Sequence, residues 1–163
     1  IEMAWAKNGT PYTEASTSDD MDITDLTAKK FNVFLAHSLA SSNIKNNYTF
    51  DNNGNTDYAR RRSYNGAADS TDTSATTIDN VGDGAWDIFE VIYSCNIDSE
   101  EKLNIHFYVN FNAAGESNAP NRLEAVSKVD TTTNTGQYTR IDSNNAGAGS
   151  YATGSNISAI GTD

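Results

Sequence analysis

Residues 102–111, KLNIHFYVNF, decide the fold class, because apolar and polar side chains alternate along them without interruption. Alternation with a period of two is typical of a β-strand that has one apolar face and one polar face. We expect the apolar face to lie against the core and the polar face to meet solvent. The apolar set is Leu103, Ile105, Phe107, Val109 and Phe111, and the polar set is Lys102, Asn104, His106, Tyr108 and Asn110.

Similar segments recur along the chain, separated by stretches of Asn, Asp, Gly, Ser and Thr. No segment has apolar residues at helical spacing over a length that would build a layer. We therefore predict an all-β protein of two packed antiparallel sheets with eight or nine strands. The predicted strands span residues 21–26, 31–40, 47–51, 57–64, 86–97, 102–111, 122–129, 137–142 and 156–160. The predicted core comprises Phe89, Val91, Tyr93, Leu103, Ile105, Phe107 and Val109.

Turn residues predict how the strands connect. The pair Asn53-Gly54 favours a tight hairpin between its flanking strands, because both residues readily adopt positive φ. Residues 98–101 join the two most apolar strands, which should pair antiparallel in the middle of a sheet. Residues 65–84 have few large apolar side chains and predict a long surface loop. Two shorter loops are predicted at 112–121 and 130–136.

Size and charge restrict the function classes. The 163 residues suit one domain, and we predict an N-terminal arm or edge segment over 1–20 and a single sandwich over 21–163. The formal charge of −11 argues against nucleic acid as a partner, since phosphate binding needs clustered Lys and Arg. No apolar stretch is long enough to cross a bilayer, so no membrane insertion is expected. Cys95 is the single cysteine and predicts a buried, unreactive thiol.

Asp51, Asn53, Asn55 and Asp57 place oxygen ligands at every second residue of DNNGNTD, a pattern that suits Ca²⁺. An EF-hand loop needs Gly at its sixth position and Glu at its twelfth, whereas here the glycine is fourth and an arginine is twelfth. A plain hairpin turn is the alternative, because Asp and Asn are common turn residues. No other cofactor is predicted.

Several side chains are candidates for ligand or subunit contacts. Alternation places Tyr58, Arg60, Arg62 and Tyr64 on one face of their strand, where tyrosine rings and guanidinium groups can bind a glycan. The alternative is that these arginines pair with carboxylates of a neighbouring strand or subunit. The other contact candidates are Trp5 and Tyr12 in the arm, and His106 and Tyr108 on the polar face of strand 102–111.

No cluster of His, Cys, Ser and acidic residues at a recognised catalytic spacing stands out, and no catalytic residue is predicted. The most suggestive carboxylate is Glu90, which lies mid-strand between two isoleucines, and Glu124 is its possible partner. A glycoside hydrolase would need two such groups about 5–10 Å apart across one cleft.

Residues 137–163, QYTRIDSNNAGAGSYATGSNISAIGTD, resemble the closing hairpin of jelly-roll structural proteins of tailed phages and related viruses. In those proteins a strand ends in a pair such as Ile-Asp, and a Gly/Ser-rich turn leads to a short last strand. The matching residues are Ile141, Asp142, Asn145, Gly147, Gly149, Ser150, Tyr151, Gly154, Ser155, Ile157 and Ile160. The segments FNVFLAHSLA, DYARRRSYNG and NAPNRLEAVSKV also resemble strands of these proteins.

The resemblance implies a jelly-roll sandwich that assembles with copies of itself as a capsid, decoration or fibre protein, sometimes with glycan recognition on exposed loops. It brings no catalytic residues. We therefore expect a non-enzymatic structural subunit of a virion or an extracellular appendage, with subunit contacts made by the arm and by the polar sheet face.

Two alternatives remain, because one scaffold serves many functions. A carbohydrate-binding module or lectin-like domain would present exposed aromatic side chains, and a glycoside hydrolase or lyase would present paired carboxylates. The aromatic candidates for the carbohydrate-binding hypothesis are Tyr58, Tyr64, Trp86 and Tyr151.

Overall fold

The computed structural model describes residues 4–111, 115–130 and 135–163, and these contain thirteen strands and no helix. The strands are β1 Ala6–Lys7, β2 Tyr12–Thr13, β3 Asp20–Ile23, β4 Phe31–Ser38, β5 Ile44–Phe50, β6 Tyr58–Tyr64, β7 Ser70–Ala75, β8 Asn80–Gly84, β9 Ile88–Cys95, β10 Lys102–Asn110, β11 Asn121–Val129, β12 Ile141–Asn145 and β13 Asn156–Thr162.

The strands form two antiparallel sheets. The large sheet has nine strands in the order β1-β13-β4-β9-β10-β11-β6-β7, with β2 also paired to β13. The small sheet has four strands in the order β3-β12-β5-β8. The predicted all-β sandwich of two antiparallel sheets is thus confirmed, whereas the jelly-roll connectivity stays a prediction.

Each of the nine predicted strands has a counterpart, and β9 and β10 pair antiparallel in the middle of the large sheet as expected. The predicted loop over 65–84 is wrong in part, because it contains β7 and β8. Both are edge strands of short, mostly polar residues, so their sequence lacks the apolar alternation that marks a strand with a buried face. The predicted loops at 112–121 and 130–136 lie partly outside the described residues.

Two predicted hairpins are wrong. The turn after β5 leads from the small sheet to the large sheet, so β5 and β6 do not pair. Its positive φ angles fall on Asp51 and Asn52, at 50° and 56°, rather than on the Asn-Gly pair that follows. The segment between β12 and β13 also crosses between the sheets. A local turn signal predicts a change of direction but not which strand becomes the neighbour.

The N-terminal segment lies along its own domain. Strands β1 and β2 both pair with β13 at the edge of the large sheet. The buried Asn8 side chain donates to Thr27 O at 3.0 Å and to Asn32 Oδ1 at 2.8 Å, and it accepts from Thr27 N at 2.8 Å. These bonds use the polar groups of Asn8 within the same chain, so this part of the segment lies at the edge of the large sheet. Contact of the segment with a neighbouring subunit stays a prediction.

The prediction of which sheet face is buried is wrong for the large sheet. Leu103 is 54% exposed, and its neighbours Ile105 and Phe107 are also exposed. The polar residues of the same strand, including His106 at 1% exposure, instead lie between the sheets. A period-two pattern shows that a strand has two unlike faces, and partners on the opposite sheet decide which face can be buried.

The interior has an apolar end and a polar end. At the apolar end the rings of Phe50 and Tyr138 stack with centroids 3.8 Å apart, and Phe34 packs against both. At the polar end, His106 and Glu90 of the large sheet face Tyr48 and Asn46 of the small sheet.

Candidate functional site

The outer face of the large sheet carries an exposed apolar surface, which we call the outer face. It is formed by the outward side chains of β4, β9, β10 and β11. Because neighbouring strands are in register, apolar residues line up in rows across the sheet. One row runs through Ile160, Val33, Tyr93, Ile105 and Val126. The outer face comprises Phe31, Leu35, Phe89, Val91, Tyr93, Cys95, Leu103, Ile105, Phe107, Val109 and Val126. Among these, Phe31, Val91, Cys95 and Val109 are half-buried, and Val33 of the same row is buried.

The extent of the outer face follows from strand geometry. Four strands spaced about 4.8 Å apart, each with about eight residues rising about 3.3 Å, cover roughly 500 Å². Monomeric soluble proteins rarely expose contiguous apolar patches larger than a few hundred Å². Arg122, Glu124 and Lys128 are charged outward residues of β11, so the apolar part of this area is a few hundred Å². On a protein with a net charge of −11, such a patch is a candidate interaction surface.

The outer face is concave and has a charged rim. A trough of about 770 Å³ lies over one end of it, where β10 begins, with Tyr93, Leu103 and Ile105 among its lining residues. Ion pairs border it on the β6 and β11 side, at Arg61–Asp69, Arg122–Glu124 and Lys128–Glu101. An apolar centre within a polar rim is the usual anatomy of a protein interface.

A second candidate is a buried cluster between the sheets. His106 lies between two carboxylates, with Nδ1 3.6 Å from Asp79 Oδ2 and Nε2 3.8 Å from Glu90 Oε1. The other Glu90 oxygen accepts from Asn46 Nδ2 at 2.8 Å and from the hydroxyl of Tyr48. The Tyr48 ring meets the imidazole edge-on at a centroid distance of 5.7 Å.

The polar groups at the centre of the cluster are only partly satisfied by hydrogen bonds. Both imidazole nitrogens, Asp79 Oδ2 and Glu90 Oε1 are buried and make no hydrogen bond within the described residues. The imidazole presents one ring nitrogen to each carboxylate, so His106 separates the two acidic groups. Burial raises the pKa of Glu90, and the neighbouring His106 and the donors on Tyr48 and Asn46 oppose that rise.

A histidine between two carboxylates can transfer protons, but here it cannot reach a substrate. Asp79, Glu90 and His106 are all at most 1% exposed. None of them lines the outer trough or the pocket described next. The geometry therefore suits a polar connection that holds the two sheets in register.

A third feature is a pocket of about 470 Å³ between the sheets, beside β6, β7 and β8. Its lining includes three aromatic side chains, Tyr64, Trp86 and Tyr108, and two cationic ones, Lys45 and Arg62. The volume lies in the roughly 300–1,000 Å³ range of small-molecule sites. The pocket contains three predicted contact residues, Arg62, Tyr64 and Tyr108. The other two, Lys45 and Trp86, lie outside strands 57–64 and 102–111.

The predicted contact residues are divided among several environments. Tyr58, Arg60, Arg62 and Tyr64 do share a face of β6, but that face points between the sheets. Arg60 pairs with Asp72 at 3.1 Å, and Arg62 Nη1 lies 3.4 Å from Asp79, so the carboxylate-pairing alternative describes both arginines.

Tyr58 and His106 are buried, which removes them as surface contacts. The Tyr58 hydroxyl accepts from Phe50 N and donates to Asn53 O. Tyr108 is also buried, and it lines the pocket. Trp5 is exposed beside the trough, and Tyr12 packs half-buried against the core.

The predicted calcium residues lie in the crossing between β5 and β6, where their oxygens take part in turn hydrogen bonds. Asp51 Oδ1 accepts from Thr139 N at 3.0 Å, and Asp57 Oδ2 accepts from Asn53 Nδ2 at 3.0 Å. The Asn55 backbone N–H donates to Asn53 Oδ1. Within the described residues no group of three His, Cys, Asp or Glu side chains could hold a metal ion. Calcium binding at this turn stays a prediction.

Glu90 and Glu124 do not line one cleft. Glu90 points into the interior, whereas the Glu124 side chain is exposed on the outer side of the same sheet and pairs with Arg122. The aromatic Tyr151, a candidate for glycan contact, is also fully buried. These placements remove the carboxylate pair that the hydrolase hypothesis required.

Sequence reasoning missed the buried cluster and the Lys45 side chain of the pocket, and it did not predict that the other pocket residues lie together. Asp79, Glu90 and His106 are far apart in the chain and follow no spacing rule. The one local signal was a charged residue between two isoleucines at Glu90, which marks a polar group on a buried face. Lys45 carried no signal, because a lone lysine on a polar strand is ordinary.

Within the described part of the chain, no helix is long and apolar enough to cross a membrane. Comparison of the chain with family models, with curated proteins and with solved structures gives no match.

Proposed function

We propose that the protein is a non-enzymatic structural subunit that self-assembles through the outer face, as a building block of a virion or an extracellular appendage. The observation that carries the proposal is the outer face itself. Eleven outward residues, centred on Ile105, form one apolar surface, and seven of them are exposed. The resemblance of the C-terminal segment to phage jelly-roll proteins supports the same class.

A second copy of the chain is the occupant that the size of the face favours. Two outer faces would bury about 1,000 Å² together, which reaches the lower limit of a specific interface. Hydrophobic burial at about 25 cal/mol per Å² supplies the driving force, and the trough offers a concave surface for shape complementarity. The rim ion pairs would stay partly hydrated and orient the copies.

The test is the mass of the particle in solution, measured by light scattering after size-exclusion chromatography. The variant Ile105→Lys places a charge at the centre of the face, where the side chain is 47% exposed and a lysine can reach solvent in a monomer. We expect the wild type to form a defined oligomer and this variant to be a folded monomer.

The control is Thr24→Lys, which adds the same charge at an exposed residue after β3 of the small sheet. It should assemble as the wild type does. A wild type that is monomeric at tens of micromolar, or an oligomer that survives Ile105→Lys unchanged, would contradict the proposal.

A further inference from the structure

The pocket between β6, β7 and β8 holds two cations, Lys45 and Arg62, and one of them has no acidic partner among the described residues. Lys45 is half-buried, and its ammonium makes no ion pair with a described carboxylate within 4.0 Å. Arg62 Nη1 lies 3.4 Å from Asp79 Oδ1, and the neighbouring Arg60 pairs with Asp72 at 3.1 Å. No Asp or Glu stands among the described lining residues. In a chain with 22 acidic residues, this locally positive surface is an exception that favours an anionic ligand.

The guanidinium of Arg62 is fixed in place. Its Nη1 donates to Asn80 O at 3.1 Å and to the Asn80 side chain, and its Nε donates to Ser70 Oγ at 3.4 Å. Its Nη2 makes no hydrogen bond within the described residues. Because the Arg62 guanidinium is already fixed, its Nη2 can bind a carboxylate or sulfate with little further loss of side-chain conformational entropy.

Trp86 presents a flat aromatic surface in the same pocket. A Cβ built on Gly84 would lie 2.8, 2.9 and 3.1 Å from three atoms of the indole. The indole therefore lies with one face over the Gly84 backbone, and glycine is the residue that permits this contact. Tyr64 and Tyr108 add further aromatic surface, and the Tyr64 hydroxyl can donate or accept a hydrogen bond.

From this geometry we propose that the pocket binds an acidic sugar residue, with the sugar ring on Trp86 and Tyr64 and its carboxylate or sulfate between Lys45 and Arg62. Aromatic faces bind the apolar side of a sugar ring, and the two cations supply charge-assisted hydrogen bonds. The site lies between the sheets, so it is separate from the outer face. The inference does not depend on self-assembly.

The experiment follows Trp86 fluorescence during titration with a uronic acid oligosaccharide. The variant Trp5→Phe is the background, since it removes the other of the two tryptophans. A matched neutral oligosaccharide and sodium sulfate are titrated in parallel. We expect saturable quenching or enhancement with the uronic acid chain, and at least tenfold weaker binding of the neutral chain and of sulfate alone.

Two variants and their controls test the assignment of residues. Lys45→Gln should weaken binding by about tenfold, because a charge-assisted hydrogen bond is lost from a half-buried position. Lys30→Gln makes the same charge change at an exposed residue outside the pocket and should bind as the background does. Gly84→Ala should displace the indole and abolish binding.

Gly54→Ala is the control for the added methyl group, because a Cβ there would meet nothing within 4 Å. The proposal is overturned if the uronic acid chain produces no saturable change. It is also overturned if the neutral chain binds equally well, or if Lys45→Gln and Lys30→Gln bind alike. Circular dichroism shows whether each variant is folded. If Gly84→Ala does not fold, the comparison of Lys45→Gln with Lys30→Gln still tests the proposal.

Discussion

Ile92 and Ile105 provide a direct test of which face of the large sheet is buried. They lie in adjacent strands β9 and β10, but Ile92 is 1% exposed and Ile105 is 47% exposed. Substitution by alanine removes three carbon atoms, worth about 0.8 kcal/mol each when buried. For Ile92 the transfer loss of about 2.4 kcal/mol is increased by the cavity left behind, so we expect a total of about 3.5 kcal/mol.

The Ile105 side chain is already about half exposed, so only about half of that transfer loss applies. Water can occupy the space of the removed atoms, and Ile105→Ala should therefore cost about 1 kcal/mol in the monomer. Equilibrium urea unfolding followed by circular dichroism measures both values. It should be done at a protein concentration where light scattering shows a monomer, and again where the protein is assembled. In the assembled protein the cost of Ile105→Ala should increase, while that of Ile92→Ala should not.

The result that would refute this reasoning is an Ile105→Ala loss equal to that of Ile92→Ala in the monomer. Such a result would mean that the apolar face of strand β10 lies in the core, as the sequence alone suggested.

Three further predictions concern the interior and the turns. Tyr58→Phe should cost about 1 kcal/mol at neutral pH, because the hydroxyl bonds two backbone groups. Burial raises the folded-state pKa of Tyr58 from 10.0 to about 12, so its contribution to stability is complete below pH 10 and is lost as the pH rises toward 12. Urea unfolding between pH 9 and pH 12 should therefore show a smaller alkaline loss of stability in the variant, and equal losses would contradict the assignment. His106→Gln should lower the free energy of unfolding by about 1–3 kcal/mol, since it removes the buried imidazole that lies between Asp79 and Glu90, and an unchanged free energy of unfolding would contradict a structural role for the cluster. Gly147→Ala should cost about 1–3 kcal/mol, because its Cβ would clash with the Asn43 carbonyl oxygen; thermal unfolding beside Gly54→Ala measures the difference, and equal melting temperatures would disprove the close contact.

Several features of the fold could be predicted from local sequence. Residues 102–111 alternate over their whole length, and they form β10 as expected. The short polar connection at 98–101 correctly predicted the antiparallel pair of β9 and β10. Strands β7 and β8 could not be predicted in the same way, because edge strands made of Ser, Thr, Asp and Gly owe their conformation to their neighbours rather than to an apolar pattern.

The candidate sites were predicted only in part. Arg62, Tyr64 and Tyr108 were singled out from alternation and chemistry, and they do line one pocket. Lys45 and Trp86 join them from β5 and from the segment before β9, and no sequence spacing connects these elements. The outer face was seen as an apolar pattern but was assigned to the core.

The sequence by itself determined that the chain forms strands, where most of them lie, and that each central strand has two unlike faces, because these properties depend on neighbours one or two residues away. The tertiary structure alone decided which face is buried. Asp79, Tyr48 and Asn46 come from other parts of the chain and supply the partners that allow Glu90 and His106 to lie inside. Once those polar groups are inside, the period of two places the apolar side chains of the same strands on the surface.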